Sequence, residues 1–398
     1  MTNEPSTTSK GMIMTLVLMT ITGAIAVDVS IPVLTEVASE FGLKASSGQL
    51  IISAFLIGYA IGQIPGGLLG DRLGRLPIIY AGFILYTLAG FMTAWAPSME
   101  IILIARFFQG IGASIGTVLG RATIRDISKG KELARNMSLI VTVLGVGTLL
   151  APIIGSALVA IWSWKATFMV SPFLGIVILL LMPFFMYETL DKSHAQKNIV
   201  QQLRYSISSF LSSPQSIWGT LITALAFAGY MNLLASTSNI IVDIYGYPAT
   251  YVGSIFGLAC LSYVAGAFIN RKLVTQYGTL KMLGVAMFIY GISSLLLAWV
   301  TWKGSIDIVP LWIILSIYLS GLGFMLPNAA AITIDPLPKS AGFAASILGT
   351  TQIGVAAGVT AYTSTLYQGT ITTTTGVIAT SGILAVLVFL IGKRIILK

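Results

Sequence analysis

Twelve apolar segments, each about as long as a lipid bilayer is thick, dominate this chain. About twenty consecutive apolar residues suffice for a helix to cross a hydrocarbon core of ~30 Å. Because lipid offers the backbone no hydrogen-bond partner, such a segment has to be helical. The sequence therefore predicts an all-α polytopic membrane protein with twelve transmembrane spans. Numbered in chain order, the predicted spans are 12–34, 48–69, 77–96, 101–121, 136–161, 166–187, 216–238, 250–270, 280–301, 308–332, 340–364 and 374–393.

Composition agrees with a membrane protein and narrows the chemistry. Of the 398 residues, 56% are hydrophobic and 9% are charged, whereas a soluble domain has about 25% charged residues. The chain contains one cysteine, Cys260, and one histidine, His194. A disulfide framework or a Cys/His metal site is therefore not expected, and we expect neither a cofactor nor a bound metal.

The positions of the basic residues predict the orientation of the chain. Loops rich in Lys and Arg stay in the cytoplasm, and 18 of the 22 basic residues fall on the side of both termini. Only Lys44, Lys165 and Lys303 fall on the other side, and Arg106 lies within a span. We therefore expect both termini in the cytoplasm. The net charge of +9 then faces anionic lipid, and no nucleic-acid partner is needed to explain it.

The N-terminus has a second interpretation. Lys10 precedes an apolar stretch that contains Ala24-Ile25-Ala26, which matches the small-residue cleavage site of a signal peptide. The apolar stretch continues to Leu34, however, and is too long for a signal-peptide core. This favours a first transmembrane span.

An internal repeat predicts two related halves of six spans. The pattern Gly67-x-x-x-Asp71-Arg72 recurs as Gly266-x-x-x-Asn270-Arg271, and Gly110-Ile-Gly112 recurs as Gly321-Leu-Gly323. Between the halves lies the longest polar segment. We predict a first bundle at 1–187, a cytoplasmic linker at 188–215 and a second bundle at 216–398. Part of the linker, Ile199 to Leu211, has apolar residues at near-helical spacing; it is either a surface helix or a simple tether.

Two ionisable residues within the spans are candidates for proton coupling. Asp28 is the only acid deep within a predicted span, and Arg106 lies at a similar depth in span 4. Burial and a neighbouring cation act in opposite senses on a carboxyl pKa, so an Asp whose Arg contact changes can load and release a proton. The alternative is a permanent structural ion pair. Since acids are costly in lipid and are usually functional there, we favour coupling.

A polar stripe in span 7 is a candidate wall of a substrate cavity. Span 7 would cross lipid easily without these side chains, and Gln352 occupies a similar position in span 11. One acid offset by one Arg gives the cavity little net charge, which suits neutral or zwitterionic amphiphiles. The predicted cavity residues of these two spans are Tyr230, Asn232, Ser236, Asn239 and Gln352.

Several motifs together resemble a known transporter family. Gly67-x-x-x-Asp71-Arg72-x-Gly74-Arg75, placed between spans 2 and 3, is similar to the signature loop of the major facilitator superfamily. Further motifs resemble those of the bicyclomycin-resistance (Bcr/CflA) drug:proton antiporters within that superfamily. These motifs are Asp28-x-x-x-Pro32, Arg106-Phe-Phe-Gln-Gly110-Ile-Gly112, Ala151-Pro152-Ile-Ile-Gly155 and Ala341-Gly342-x-Ala344-Ala345-Ser346.

The resemblance implies roles for particular residues. Asp28 would carry the proton, with Arg106 as its partner and Gln109 on the cavity wall. The motif between spans 2 and 3 and the end of span 4 would form a cytoplasmic gate, which closes in the outward-open state and breaks when the cavity opens inward. The gate residues are Asp71, Arg72, Arg75, Arg121 and Asp126.

The antiporter motif of span 5 departs from the family pattern. The family usually has G-x-x-x-G-P-x-x-G-G, whereas this chain has Gly147, Ala151, Pro152, Gly155 and then Ser156. Both replacements are small residues, so close helix packing is retained, but the match is weaker. Pro152 is expected to bend or loosen the helix.

The sequence thus favours a proton-coupled exporter of drugs or other small amphiphiles, with a small molecule and protons as partners and a monomer as the working form. The alternative within transport is an exporter of an endogenous amino acid, sugar or siderophore. A membrane enzyme or sensor would need a nucleophile with a base, a metal cluster or an extramembrane domain, and a passive channel would not need duplicated halves. The chain contains no G-x-x-x-x-G-K-[ST] motif, so ATP-driven pumping has no support.

Overall fold

A computed structural model of the protein describes residues 10–128, 130–190, 199–337 and 341–396. These residues fold into helices joined by short turns, with no strand among them. The helices are α1 (Lys10–Asp28), α2 (Leu34–Glu40), α3 (Gln49–Leu73), α4 (Arg75–Ala94), α5 (Met99–Ile127), α6 (Gly130–Ile161), α7 (Trp164–Phe185), α8 (Ile199–Leu211), α9 (Pro214–Ser238), α10 (Val252–Tyr277), α11 (Thr279–Lys303), α12 (Ile308–Ile334), α13 (Ala341–Leu366) and α14 (Ile371–Ile396).

The predicted all-α fold with twelve spans is confirmed. Within the described ranges, twelve helical segments are long and apolar enough to cross a membrane. Most helices extend a few residues beyond the predicted apolar segments, because the polar residues at helix ends continue the helix into the interface. The first span consists of α1, α2 and a 3₁₀ turn at Ile31–Val33 between them.

The break in the first span corrects the prediction of one continuous helix over 12–34. Helix α1 ends at Asp28, four residues before Pro32. A proline has no N–H to donate to the carbonyl four residues earlier, and its ring collides with that carbonyl. After Asp28 the hydrogen bonding changes to the tighter three-residue spacing of a 3₁₀ turn, since Ser30 N donates to Val27 O at 3.1 Å. Asp28 therefore lies at the end of a helix inside a membrane span.

The chain forms two compact units. One comprises Met1–Ser30 and Ala54–Lys197, and the other comprises Ile31–Ser53 and Asn198–Lys398. The boundary near residue 197 falls inside the predicted linker. Residues 31–53, however, group with the second unit although the sequence analysis assigns them to the first domain. The predicted domains 1–187 and 216–398 as such stay a prediction.

Glycines permit a close helix crossing in each unit. In the first unit, a Cβ on Gly58 of α3 would overlap the carbonyl oxygen of Phe107 on α5, so the two backbones touch. In the second unit, a Cβ on Gly266 of α10 would overlap the carbonyl oxygen of Ser320 on α12. Small residues permit this approach where neighbouring helices lack a hydrophobic driving force. The same kind of crossing in both units agrees with the internal repeat.

The amphipathic part of the predicted linker forms helix α8. Its Phe210 is buried against Leu337 and Ala344, which follow α12 and begin α13. This helix therefore packs on the second unit. Residues 191–198 of the predicted linker, including His194, lie outside the described residues.

Candidate functional site

Asp28 is a buried acid with little local compensation. Its side chain is 3% exposed. The carboxyl group is hydrogen-bonded to the side chain of Thr148 on α6, whereas Oδ2 has no hydrogen-bond partner among the described residues. Buried carboxyl groups usually have all their oxygens satisfied. A carboxyl group with one open oxygen is suited to hold a proton or to meet a ligand.

Arg106 is the largest fully buried side chain of the described residues. Its Nη1 donates to Gln109 Oε1 at 2.9 Å, and its Nη2 donates to Ala26 O at 3.0 Å. The guanidinium carbon lies 4.8 Å from the ring centroid of Phe55 and 5.4 Å from that of Phe168. Two aromatic faces and a backbone carbonyl thus stabilise the buried cation.

The predicted ion pair between Asp28 and Arg106 is not formed in this structure. Among the described residues, no nitrogen–oxygen contact within 4.0 Å joins them. The cause is the break in the first span. Because Ser30 N donates to Val27 O, Ala26 O lacks its usual helical donor and accepts Arg106 Nη2 instead. Ser30 Oγ also accepts from Nη2 at 3.3 Å, so the guanidinium binds the residues on either side of Asp28.

Four residues of this site were not predicted from the sequence: Ser30, Phe55, Thr148 and Phe168. Thr148 follows Gly147 of the antiporter motif directly, so a polar side chain inside an apolar span was a signal for it. The two aromatic residues resemble ordinary apolar residues of a membrane span, and nothing in the sequence distinguishes them.

In the second unit, three residues of the polar stripe in the seventh span are fully buried: Asn232, Ser236 and Asn239. Ser236 Oγ accepts a hydrogen bond from Gln49 Nε2 at 3.1 Å, and Asn239 Oδ1 accepts one from Thr35 Oγ1 at 3.2 Å. Gln49 and Thr35 belong to the 31–53 segment that groups with this unit. Ser236 and Asn239 of the stripe therefore contact the 31–53 segment.

Asn232 is the exception in the stripe. It is 0% exposed, and neither its Nδ2 nor its Oδ1 has a hydrogen-bond partner among the described residues. Leaving a buried amide unpaired costs about 1–3 kcal/mol for each group. Because the unpaired amide of Asn232 destabilises the fold, we regard this residue as a candidate ligand-binding group.

The contacts of three other predicted cavity residues neither support nor oppose a place in a cavity. Tyr230 is half-buried with its ring centroid 5.5 Å from that of Phe227. Gln352 is half-buried on α13. Gln109 is buried in the first unit, and its Nε2 has no partner among the described residues. Each stays a predicted cavity residue.

A charge cluster lies where α3 turns into α4. The buried side chain of Arg75 contacts two carboxylates: Nη1 lies 2.7 Å from Asp71 Oδ1, and Nε lies 3.0 Å from Asp126 Oδ2. These are three of the five predicted gate residues. Arg72 and Arg121 are exposed and form no ion pair within 4.0 Å in the described part of the chain.

Glu188 is a further member of this cluster that the sequence analysis missed. Its carboxylate accepts hydrogen bonds from the backbone N–H of Arg75 at 3.0 Å and of Leu76 at 3.1 Å, at the start of α4. Partial burial acts to raise the pKa of Glu188, but these donors and the N–H groups of Leu190 and Thr189 outweigh it and lower the pKa below its ordinary value.

Gly74 makes this contact possible. Its φ is +109°, and a Cβ would lie 2.6 Å from Glu188 Oε2. Any other residue would be strained there and would push the carboxylate away from the start of α4. The glycine of the signature motif thus has a local structural role beside its charged neighbours.

The second copy of the motif makes a neutral contact. Asn270, which occupies the place of Asp71 in the repeat, accepts a hydrogen bond at 2.7 Å from Asn328 Nδ2. Both side chains are buried. The second unit therefore has a hydrogen-bonded amide pair where the first unit has an ion-pair network.

The antiporter motif lies on α6, which continues from Gly130 to Ile161 through Pro152. Ala151, Pro152 and Gly155 are buried, and Gly147 is half-buried. A Cβ on Gly147 would lie 3.9 Å from Ile25 on α1, so this glycine faces the span that carries Asp28.

The twelve apolar helical segments of the described residues make this a multi-pass membrane protein. Its first unit buries the ionisable groups Asp28 and Arg106. Residues 16–361, well over half of the chain, match the Major Facilitator Superfamily. The chain belongs to this family. It is therefore a transporter of small molecules embedded in a membrane, and not an enzyme.

Two relatives with assigned names agree with that assignment. The chain is 28% identical over 350 residues to the bicyclomycin resistance protein homolog of Haemophilus influenzae, with 87% of this chain and 86% of the relative covered. It is 26% identical over 383 residues to multidrug resistance protein D of Escherichia coli, with 95% of each covered. The resemblance to the bicyclomycin-resistance family is thereby confirmed.

The fold is also that of solved transporters. The chain superimposes with a TM-score of 0.71 on a partially occluded inward-open structure of the xylose transporter XylE from E. coli. The two are 14% identical, and 94% of this chain and 96% of the other are covered. At this identity the similarity concerns the fold alone.

Proposed function

We propose that this protein exports small amphiphilic compounds, including antibiotics, across a bacterial inner membrane in exchange for protons by alternating access. Both termini lie in the cytoplasm and the monomer is the working unit. The observation that carries the proposal is Asp28, a buried acid at a helix break with one unpartnered oxygen and no ion-pair partner among the described residues. An acid inside a membrane span without a neutralising partner is a functional group by default.

The break in the first span supports a coupling role for Asp28. A carboxyl group within a regular helix is held by its neighbours, whereas one at a helix end moves when either helical piece moves. Arg106 binds Ala26 O and Ser30 Oγ, so it holds the backbone on both sides of the acid. When Asp28 loses its proton, its carboxylate becomes the better acceptor for the guanidinium. Exchange of these acceptors then couples deprotonation to a movement of the break.

The substrate class follows from the balance of charge. In the first unit, one acid and one guanidinium leave no strong net charge near Asp28. In the second unit, considered by itself, the amide of Asn232 has no partner among the described residues and offers a donor group and an acceptor. Neutral or zwitterionic amphiphiles suit such groups better than lipophilic dications. The names of the two relatives, which concern bicyclomycin and multidrug resistance, agree with this class.

The experiment is proton movement in everted membrane vesicles energised by respiration. Antibiotics are added one at a time to vesicles with wild-type protein or with Asp28→Asn. Substrate-triggered proton efflux in the wild type and none in the variant supports drug:proton antiport through Asp28. If the protein is folded and inserted but no antibiotic of the panel triggers proton efflux, export of an endogenous metabolite becomes the better interpretation.

A further inference from the structure

A groove on the second unit lies between the start of α11 and the end of α14. Its volume is about 570 Å³. Both helices are membrane spans, Thr279–Lys303 and Ile371–Arg394, so the groove lies where the spans reach the same membrane surface. The lining residues are Leu280, Lys281, Gly284, Val285, Phe288 and Lys393.

Two unneutralised cations mark the surface end of the groove. Lys281 and Lys393 are both exposed, and no carboxylate of the described residues lies within 4.0 Å of either. The Nζ of Lys393 lies 6.0 Å from the ring centroid of Phe389, at the limit of a cation–π contact. An anion placed between the two lysines would therefore be attracted by both.

The remainder of the groove is apolar and open. Lys281, Val285 and Phe288 lie four and then three residues apart on one face of α11. Phe288 is 69% exposed. Gly284 leaves the bottom of the groove unfilled, because among the described residues a Cβ there would meet Phe389 alone, at 3.9 Å. A hydrocarbon chain can lie along this face below the two charges.

The start of α11 adds a third attraction for an anion. Gly278 precedes the helix and provides no side-chain cap, so the first N–H groups of α11 are not capped by it. A helix N-terminus carries partial positive charge and favours phosphate. It adjoins Lys281 directly.

From this combination we infer a binding site for an anionic phospholipid. The phosphate of the head group lies between Lys281 and Lys393 at the start of α11, and one acyl chain lies along Val285 and Phe288. A free phosphate would use only the charged end, whereas the groove continues along an apolar face of the spans. Basic pockets between spans bind anionic head groups in this way. The site is independent of the transported substrate and of Asp28.

The test uses the purified full-length protein in detergent and native mass spectrometry to count bound lipids during a titration with phosphatidylglycerol or phosphatidylcholine. The double variant Lys281→Gln/Lys393→Gln is compared with Lys272→Gln/Lys303→Gln, which removes the same charge from exposed lysines of the same unit outside the groove. Each lysine near an anionic lipid is worth about fivefold in affinity, so the first variant should bind phosphatidylglycerol roughly 30-fold more weakly. The control should bind it as the wild type does.

A groove-filling variant, Gly284→Leu, keeps both lysines and removes the place of the acyl chain. It should also lose the tightly bound phosphatidylglycerol, and replacing a helical glycine should not unfold α11. The inference is overturned if the double lysine variant retains wild-type affinity, if phosphatidylcholine binds as tightly as phosphatidylglycerol, or if Gly284→Leu leaves binding unchanged.

Discussion

Arg106 Nη2 donates a hydrogen bond at 3.0 Å to the carbonyl oxygen of Ala26, an acceptor that the helix break at Asp28 sets free. The buried cation of span 4 and the break in span 1 therefore form one structural feature. Asp28 lies at its centre without joining the hydrogen bonds of the guanidinium. This arrangement leaves the acid available for a proton while its surroundings are held in place.

Replacing Arg106 by Lys tests that feature. Lysine keeps the charge but cannot donate to Gln109 and Ala26 in the fork geometry of a guanidinium. We expect a loss of roughly 1–3 kcal/mol in the free energy of unfolding and a loss of transport. Thermal unfolding in detergent and vesicle transport measure the two effects. Wild-type stability in Arg106→Lys would show that charge alone suffices.

The crossing of α3 and α5 should not tolerate a methyl group. In Gly58→Ala the new Cβ would overlap the carbonyl oxygen of Phe107, so the two helices must separate, at a cost of about 1–3 kcal/mol or more. Gly145→Ala on α6 is the matched control, because apart from its own helix backbone no heavy atom of the described residues would lie within 4 Å of the new Cβ. The yield of monodisperse protein and its thermal midpoint are measured. Equal loss in both variants would argue against the close crossing.

Asn232→Leu separates stability from function. Since both polar atoms of Asn232 lack hydrogen-bond partners among the described residues, an apolar residue of similar size should raise the free energy of unfolding by roughly 1–3 kcal/mol. Transport should fall, because we propose that the amide of Asn232 binds the substrate. Thermal unfolding and substrate uptake into everted vesicles provide the two readings. A less stable variant would mean that Asn232 has a structural role instead.

Glu188→Gln should weaken the charge cluster in a pH-dependent manner. The folded-state pKa of Glu188 is lowered below its ordinary value, so its contribution is present above the unfolded-state pKa and is lost as the pH falls through the folded-state pKa. At neutral pH we expect a difference of about 0.5 kcal/mol, because the carboxylate is exposed and screened.

Thermal unfolding of the wild type and of Glu188→Gln from neutral to acidic pH measures this contribution. The two midpoints should converge in acid. A constant difference at every pH would show that the charge of Glu188 is not the stabilising property. Glu132→Gln, an exposed acid on α6, serves as the control for the general effect of removing one carboxylate.

Much of the fold could be predicted from sequence, because the length of each apolar segment is set by the bilayer. Twelve spans and the helix of Ile199–Leu211 follow from hydropathy and spacing. The break at Asp28 could have been predicted as well, since Pro32 lies four residues later. It was missed because the apolar pattern continues across the break.

The partners of buried charges were less accessible to sequence reasoning. Asp28 and Arg106 lie in the same region of the first unit, but which acceptors the guanidinium uses depends on a carbonyl that only a local backbone change sets free. Glu188 is far from Arg75 in sequence, and its hydrogen bonds go to backbone N–H groups, which leave no trace in residue types. The only hint of this contact in the sequence is Gly74, a glycine at the turn between α3 and α4.

The most direct measurement is proton release by the purified protein in weakly buffered detergent solution when a substrate is added. This removes the membrane, the gradient and the energy source from the experiment. We expect the substrate to release protons from the wild type and from Glu132→Gln but not from Asp28→Asn, while Asp28→Asn still binds the substrate. Equal proton release by Asp28→Asn would contradict the assignment of the coupling proton to Asp28.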